Sequence, residues 1–170
     1  MKIKRRILLP VALLLTALLV GCGSVSTYAS DISAADVARA ALNALEGEDA
    51  YLDGTDAYYG YYFEDRQEHA LINDRVMMYQ KNETNVNEIC VFRTASPKDA
   101  DRVEDAVEDY IEEQEDYLEG FAKNYSPEDM KKIENADVET VGCYVIGFIL
   151  SPQDEQTALR AVRDLLKSAQ

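Results

Sequence analysis

The sequence predicts an α+β domain, in which a four-stranded antiparallel sheet is packed on one face by two long helices. Two short apolar runs, 87–94 and 143–150, have the composition of β-strands. A second segment of strand character precedes each run, and an amphipathic helix follows each run. A ββα unit therefore occurs twice, and a further helix is predicted on the N-terminal side.

Serine residues mark the beginnings of the predicted helices. Ser96, Ser126 and Ser151 each precede a proline, and an acidic residue stands three positions after each serine. Serine is a favoured N-cap, proline suits the first helical position, and the acid complements the helix dipole. The helix after Ser96 spans some 20 residues, whereas the helix after Ser126 has one or two turns. The inward stripe of the long helix comprises Ala100, Val103, Ala106, Val107, Tyr110, Ile111, Tyr117, Leu118 and Phe121.

The strand partners and the N-terminal helix complete this map. Segment 75–80 is predicted to pair with 87–94, and 137–141 with 143–150 through a tight turn at Gly142. The two halves align at an offset of about 55 residues, which indicates either a repeated unit or shared secondary structure alone. The N-terminal helix begins at "SAAD", 33–36, ends near Gly47 and is expected at an edge of the sheet. The pattern does not define residues 48–74.

The chain begins with a pattern typical of an export signal. Four basic residues precede the uncharged run 7–20, which is shorter than the roughly 20 residues of a membrane span. Leu19 to Cys22 resembles a lipobox, in which a diacylglycerol is attached to the cysteine before cleavage. The alternative is an uncleaved anchor helix that contains an incidental cysteine.

These features predict three parts of the chain. A lipoprotein signal peptide, 1–21, is removed; a lipidated Cys22 and a short tether fill 22–32; and a single α+β domain occupies 33–170. The protein would then be held at the outer, extracytoplasmic face of the cell membrane through diacylglycerol on Cys22.

Charge narrows the classes of partner. The chain has 17 basic and 32 acidic residues, a net charge of −15, and four of the basic residues lie in the predicted signal peptide. The remaining chain carries −19, which disfavours nucleic acid as a partner and a flat position on an anionic bilayer. Cys90 and Cys143 could form a disulfide outside the cytoplasm, but two buried thiols are the favoured interpretation.

A cluster of tyrosines is the best candidate binding site. Tyr58, Tyr59, Tyr61 and Tyr62 lie within the sequence "YYGYYF". Exposed tyrosines stack on sugar rings or anchor protein interfaces, and buried ones pack equally well in a core. The partner would be an envelope protein or a glycan.

Catalytic and metal-binding patterns are weak. His69 is the only histidine, and no nucleophile elbow or zinc spacing is present, so His69 is expected at the surface or in a hairpin. Eleven carboxylates in the helix after Ser96 could attract calcium or a cationic partner, but a solvated face is favoured. We therefore predict no metal and no cofactor. The leading hypothesis is a non-enzymatic binding module, and the alternative is an envelope hydrolase that uses two carboxylates.

A resemblance to a known family rests on three stretches: "NEICVFRTASPKDADRVEDAVEDYIEEQ", "KKIENADVETVGCYVIGFILS" and the final helix. They cover most of 86–168 and resemble bacterial lipoproteins grouped as domain of unknown function 4358. The strand followed by a capped acidic helix, the "IENA" segment and the glycine turn before "YV" carry the likeness. The resemblance implies a lipid-anchored extracytoplasmic domain, and it brings no activity and no site residues. Cys143 stands where a small polar turn residue is expected.

Overall fold

A computed structural model describes residues 28–45, 47–82 and 85–169. The helices in this part of the chain are α1 (Ala34–Asn43), α2 (Thr55–Tyr62), α3 (Pro97–Tyr125), α4 (Pro127–Glu134) and α5 (Pro152–Ser168). The strands are β1 (Tyr51–Asp53), β2 (Ile72–Gln80), β3 (Glu88–Thr94), β4 (Asp137–Val141) and β5 (Tyr144–Ile149). Short 3₁₀ turns occupy Glu48–Ala50 and Gln67–Leu71. The predicted α+β class is confirmed.

The sheet contains five antiparallel strands in the order β1-β2-β3-β5-β4. Both predicted hairpins, β2–β3 and β4–β5, are present, and Gly142 has a φ of 64° in the turn of the second. The predicted number of four strands is wrong, because β1 adds to the edge of β2 with Tyr51 opposite Gln80. β1 is only three residues long, which is too short to show the alternation by which strands are recognised.

The prediction that both long helices lie on one face of the sheet is also wrong. α1 and α5 cover one face, and α2, α3 and α4 cover the other. The cause lies in the central strands β3 and β5, whose apolar side chains are buried on both faces. A sheet that is apolar on both faces needs a helical layer on each of them.

The predicted ββα order occurs twice, as β2–β3–α3 and β4–β5–α5. Val91 of β3 lies opposite Ile146 of β5, so the two aligned positions are cross-strand partners. The helices that follow them nevertheless pack on opposite faces. The two units therefore share the order of their elements but differ in the face of the sheet on which the helix packs.

Serine caps begin α1, α3 and α5 at the predicted places, whereas Ser126, before α4, makes no side-chain cap hydrogen bond. The Oγ atoms of Ser33, Ser96 and Ser151 accept hydrogen bonds from the backbone N–H three residues later, at 3.1, 3.2 and 3.2 Å. The position expected for the first helix is wrong, however. α1 packs against α5, β2 and β3 over one face of the sheet, because its small apolar side chains, such as Ala38 and Ala41, permit close approach.

Helix α3 is longer than the sheet that it covers. Its 29 residues span roughly 43 Å, whereas the six residues of β5 span roughly 20 Å. The first half of α3 is buried on the sheet, and the second half extends beyond it. Tyr117 was expected to face inward but is 76% exposed for this reason.

Cys90 and Cys143 are both free and buried, in agreement with the favoured interpretation. Cys90 lies directly opposite Gly147 on β5. A Cβ atom on Gly147 would come within 2.7 Å of Cys90 Sγ and 3.1 Å of Val107 Cγ1. The thiol and helix α3 therefore occupy the space that a side chain at residue 147 would need.

The predicted signal peptide and Cys22 lie outside the described residues. No helix in the described ranges is long and apolar enough to cross a membrane. Residues 28–32, which were assigned to the tether, are bonded to the domain: Ala29 N–H donates to Leu166 O at 2.9 Å, and Tyr144 Oη donates to Ile32 O at 2.8 Å.

Candidate binding site: a tyrosine-lined groove

Helix α2 carries the four candidate tyrosines, and its first turn is fixed to the sheet. Asp53 Oδ1 accepts hydrogen bonds from the backbone N–H and the hydroxyl of Thr55, at 2.9 and 2.6 Å. The same hydroxyl oxygen accepts a bond from Met77 N–H on β2 at 2.9 Å. The start of the helix is therefore anchored to both β1 and β2.

The far end of α2 is held against α3 by Arg66. Its guanidinium contacts Asp109 Oδ2 at 3.0 Å and Glu113 Oε1 at 2.7 Å, and its Nε donates to Tyr62 O at 2.8 Å. Arg66 is mostly buried, so these bonds are less screened than those of a fully exposed pair. The two anchors set the angle at which α2 presents its tyrosines.

The four tyrosines take three different positions. Tyr59 is buried beside Phe63, and these positions, four residues apart, lie on the core side of the helix. Tyr58 and Tyr62, also four residues apart, lie on the side that faces α3 and β2. Tyr61 is 81% exposed and packs edge-on against Tyr62. A ligand can therefore reach the rings of Tyr58, Tyr61 and Tyr62, and Tyr59 supports them from below.

A groove of about 530 Å³ opens between α2, the ends of β1 and β2, and the overhanging half of α3. Its lining includes four tyrosines, which are Tyr58, Tyr62, Tyr79 and Tyr117. The ring of Tyr58 lies on that of Tyr79 with centroids 4.2 Å apart. Gly54 permits this contact, because a Cβ atom there would lie 2.8 Å from both rings.

The floor of the groove contains a buried carboxyl group. Glu88 is 3% exposed, and its Oε1 accepts a hydrogen bond from Tyr110 Oη at 2.6 Å. Tyr110 Oη also lies 3.1 Å from Tyr79 Oη. Burial raises the pKa of Glu88 from 4.5 to about 7, against the hydrogen bonds from Tyr110 and Tyr79, which lower it. A carboxyl group of this pKa changes its charge near neutral pH.

Two further polar side chains in the lining are buried. Gln114 follows Tyr110 by one helical turn, and Asn87 precedes Glu88. Gln114 Nε2 and Asn87 Oδ1 have no hydrogen-bond partner within the described structure. Such atoms are rare in folded proteins, and a ligand is one way to satisfy them.

Exposed apolar surface is concentrated at this groove. Among the described residues, the large hydrophobic side chains that remain exposed are Leu52, Tyr58, Tyr61 and Tyr117. Leu52, Tyr58 and Tyr117 line the groove, and Tyr61 contacts the lining residue Tyr62. Contiguous exposed apolar surface marks interaction sites on soluble domains.

His69 lies outside the groove, in the 3₁₀ turn before β2. Its Nδ1 is 2.8 Å from Tyr59 Oη, and the Arg75 guanidinium lies 3.8 Å from the centroid of the Tyr59 ring. These groups, with Asp56 and Glu64, line a small cavity of about 180 Å³. His69 is half-buried, and its bond helps to fix the orientation of Tyr59.

The acidic face of α3 includes the two partners of Arg66, Asp109 and Glu113. Within the described ranges, no group of three or more histidine, cysteine, aspartate or glutamate side chains has the geometry to hold a metal ion. We therefore base no cation site on this face.

Two of the four tyrosines predicted from the sequence, Tyr58 and Tyr62, line the groove. The tyrosine cluster was recognised, whereas Glu88, Asn87 and Gln114 were not. Glu88 is one of 32 acidic residues in the chain, and its place at the start of an apolar strand was the available signal. Its importance depends on Tyr110, 22 residues away, which the sequence does not connect with it.

Comparison with known proteins adds a family match for part of the chain. Residues 68–150 match the family model described as Domain of unknown function (DUF4358). This match supports the resemblance for the segment from the turn before β2 to the end of β5, and the final helix lies outside it. No curated protein and no solved structure matches the chain.

Proposed function

We propose that this protein is a lipid-anchored binding module at the outer face of the bacterial cell membrane, and that its ligand binds in the tyrosine-lined groove. The ligand belongs to the cell envelope and is a protein or a glycan. The observation that carries the proposal is the coincidence of the groove with the exposed apolar side chains Leu52, Tyr58 and Tyr117.

The position of the groove relative to the N-terminus supports this proposal. Ser30 O accepts a hydrogen bond from Arg93 at one end of β3, whereas Glu88 lies at the other end, about 17 Å away. Tyr28 follows Cys22 by six positions, which limits the distance between them to about 21 Å. An anchor at Cys22 would hold the Ser30 end of the domain near the membrane and direct the groove away from it.

The alternative function is a hydrolase that uses two carboxylates. Asp53 and Glu88 both line the groove, and Glu88 has the raised pKa of a general acid. Asp53, however, is exposed and accepts two hydrogen bonds from Thr55 at the start of α2, so it already has a structural role. We therefore favour binding without catalysis.

Photo-crosslinking in native membranes tests the proposed binding. A photoreactive phenylalanine derivative at Tyr117, on the rim of the groove, should capture a discrete envelope protein or glycan. The matched control carries the same photoreactive derivative in place of Arg160, which is exposed on α5 in the opposite helical layer. This control should not capture the envelope protein or glycan. Equal products from both sites, or capture of lipid alone from Tyr117, would contradict a binding function for the groove.

The hydrolase alternative has a separate assay. Incubation of the chain with isolated cell-wall glycan should release no new reducing ends. Release by the native chain that is lost in Glu88→Gln would favour the enzyme over the module, because glutamine cannot donate a proton as a general acid.

A further inference from the structure

Among the described residues that line the groove, one buried donor and one buried acceptor are unpaired. Gln114 Nε2 is the donor and Asn87 Oδ1 the acceptor, and both residues are 7% exposed. Burial of an amide atom without a partner is unfavourable, so this arrangement persists at a cost to the fold. A ligand that forms hydrogen bonds with both atoms would recover the free energy that is lost when they are buried without partners.

The chemistry of the two atoms specifies their complement. Gln114 Nε2 requires a carbonyl or hydroxyl oxygen, and Asn87 Oδ1 requires an N–H or O–H group. An acetamido group supplies a carbonyl oxygen and an N–H together, and therefore complements both atoms with one substituent. Methyl and ring C–H groups of the same ligand would contact the apolar side chains of Val86 and Leu118, which also line the groove.

The shape and charge of the groove favour an uncharged ligand that contains a sugar ring. The tyrosines of the lining offer flat faces on which the C–H face of a pyranose can pack. Lys81 is the cationic lining residue, and its ammonium donates to Asp49 O at 2.6 Å. With Asp53 and Glu88 in the same lining and a net charge of −15 on the chain, an anionic ligand would be repelled.

We propose that the groove binds an uncharged N-acetylated saccharide, with Gln114 and Asn87 bonded to its polar groups and tyrosine rings packed against its sugar face. This inference rests on the binding function proposed above and names the ligand class. An extended peptide also offers amide groups, but it lacks the flat rigid face that the tyrosines of the groove accommodate.

Calorimetric titration of the full chain in phosphatidylcholine nanodiscs tests the inference. The probes are a β-1,4-linked tetramer of N-acetylglucosamine and the corresponding tetramer of glucose, which differs in carrying hydroxyl in place of acetamido groups. The N-acetylated tetramer should bind about tenfold more tightly or better, since loss of one buried hydrogen bond changes affinity by this order.

Two matched variants connect that affinity with the groove. Gln114→Met keeps the length of the side chain and removes its unpaired donor, so it should weaken binding of the N-acetylated tetramer about tenfold while the chain unfolds at the same or a higher temperature. Gln156→Met makes the same change at an exposed position of α5 and should leave binding unchanged. Tyr117→Ala, at an exposed rim position, should weaken binding without loss of stability.

Calorimetry tests the saccharide proposal, whereas crosslinking tests whether the groove is a binding site at all. Equal affinity for the two tetramers, no binding of either, or unchanged affinity in Gln114→Met would overturn the saccharide proposal. If crosslinking from Tyr117 still captured an envelope protein, the groove would remain a binding site, and its ligand would be a peptide. Failure of both experiments would overturn the binding function as well.

Discussion

Replacing Glu88 with glutamine removes a carboxyl group that folding buries almost completely. Glutamine has nearly the same shape, and its side-chain oxygen can still accept the hydrogen bond from Tyr110 Oη that Glu88 Oε1 accepts at 2.6 Å. The amide thus imitates the protonated carboxyl group and cannot ionise. The variant isolates the effect of the negative charge on stability.

The pKa of Glu88 sets the magnitude and the sign of this effect. Burial raises the pKa from 4.5 to about 7, and each unit corresponds to about 1.4 kcal/mol. Below pH 4.5 the carboxyl group is protonated in both the folded and the unfolded chain, so the stabilising contribution is complete. Between pH 4.5 and 7 the unfolded chain loses its proton first, and the free energy of unfolding falls by roughly 3 kcal/mol. Above pH 7 the loss is complete.

Urea unfolding of the two chains at several pH values measures this effect. The sequence contains 11 tyrosines and no tryptophan, so tyrosine fluorescence is the natural signal. Relative to the native chain, Glu88→Gln should gain roughly 3 kcal/mol of stability between pH 4.5 and 8, with most of the gain below pH 7. Glu115→Gln, at an exposed position of α3, is the control and should show no such gain. A stability difference that is independent of pH would refute the assigned burial of Glu88 or its ionisation.

Further predictions address the anchor, the core and a helix cap. Cys22→Ser should abolish labelling by a lipid precursor and release the chain from the membrane fraction; a chain that stays membrane-bound would contradict the lipid anchor. Gly147→Ala should destabilise the fold by about 1–3 kcal/mol in urea unfolding, and adding Cys90→Ala should recover part of this loss because it removes the atom 2.7 Å from the new Cβ. Ser151→Ala should cost about 1 kcal/mol by the same measurement, since it removes the cap of α5.

The positions of the strands and helices could be predicted, but their arrangement in layers could not. Helix starts follow from local chemistry, so Ser33, Ser96 and Ser151 cap helices where the pattern placed them, and Ser126 is the exception. Each central strand contains an unbroken apolar run, "ICVF" in β3 and "YVIGFI" in β5. Such runs indicate a strand buried on both faces. Giving this signal its full weight would have predicted helices on both sides of the sheet.

The tyrosine segment shows how the assignment of one helix decides a site. In a helix, positions four residues apart share a face, so Tyr59 and Phe63 form one face and Tyr58 and Tyr62 another. The sequence pattern does not define residues 48–74, so this periodicity cannot be applied there and the sequence does not distinguish the four tyrosines. The structure shows that one is buried and two line the groove.

The family match and the groove overlap only in part, which bears on what the family likeness can say about function. Residues 68–150 include the buried floor, with Glu88 and Gln114, and the overhanging half of α3 that carries Tyr117. The wall formed by β1 and α2 lies before the matched segment and contributes Leu52, Tyr58 and Tyr62. The match therefore includes the polar floor together with Tyr79 and Tyr117, whereas Tyr58 and Tyr62 lie in a part of the chain that the family model does not cover. In the proposed recognition, pairing with Gln114 and Asn87 therefore falls to the matched segment, and α2 adds its tyrosine faces to those of Tyr79 and Tyr117.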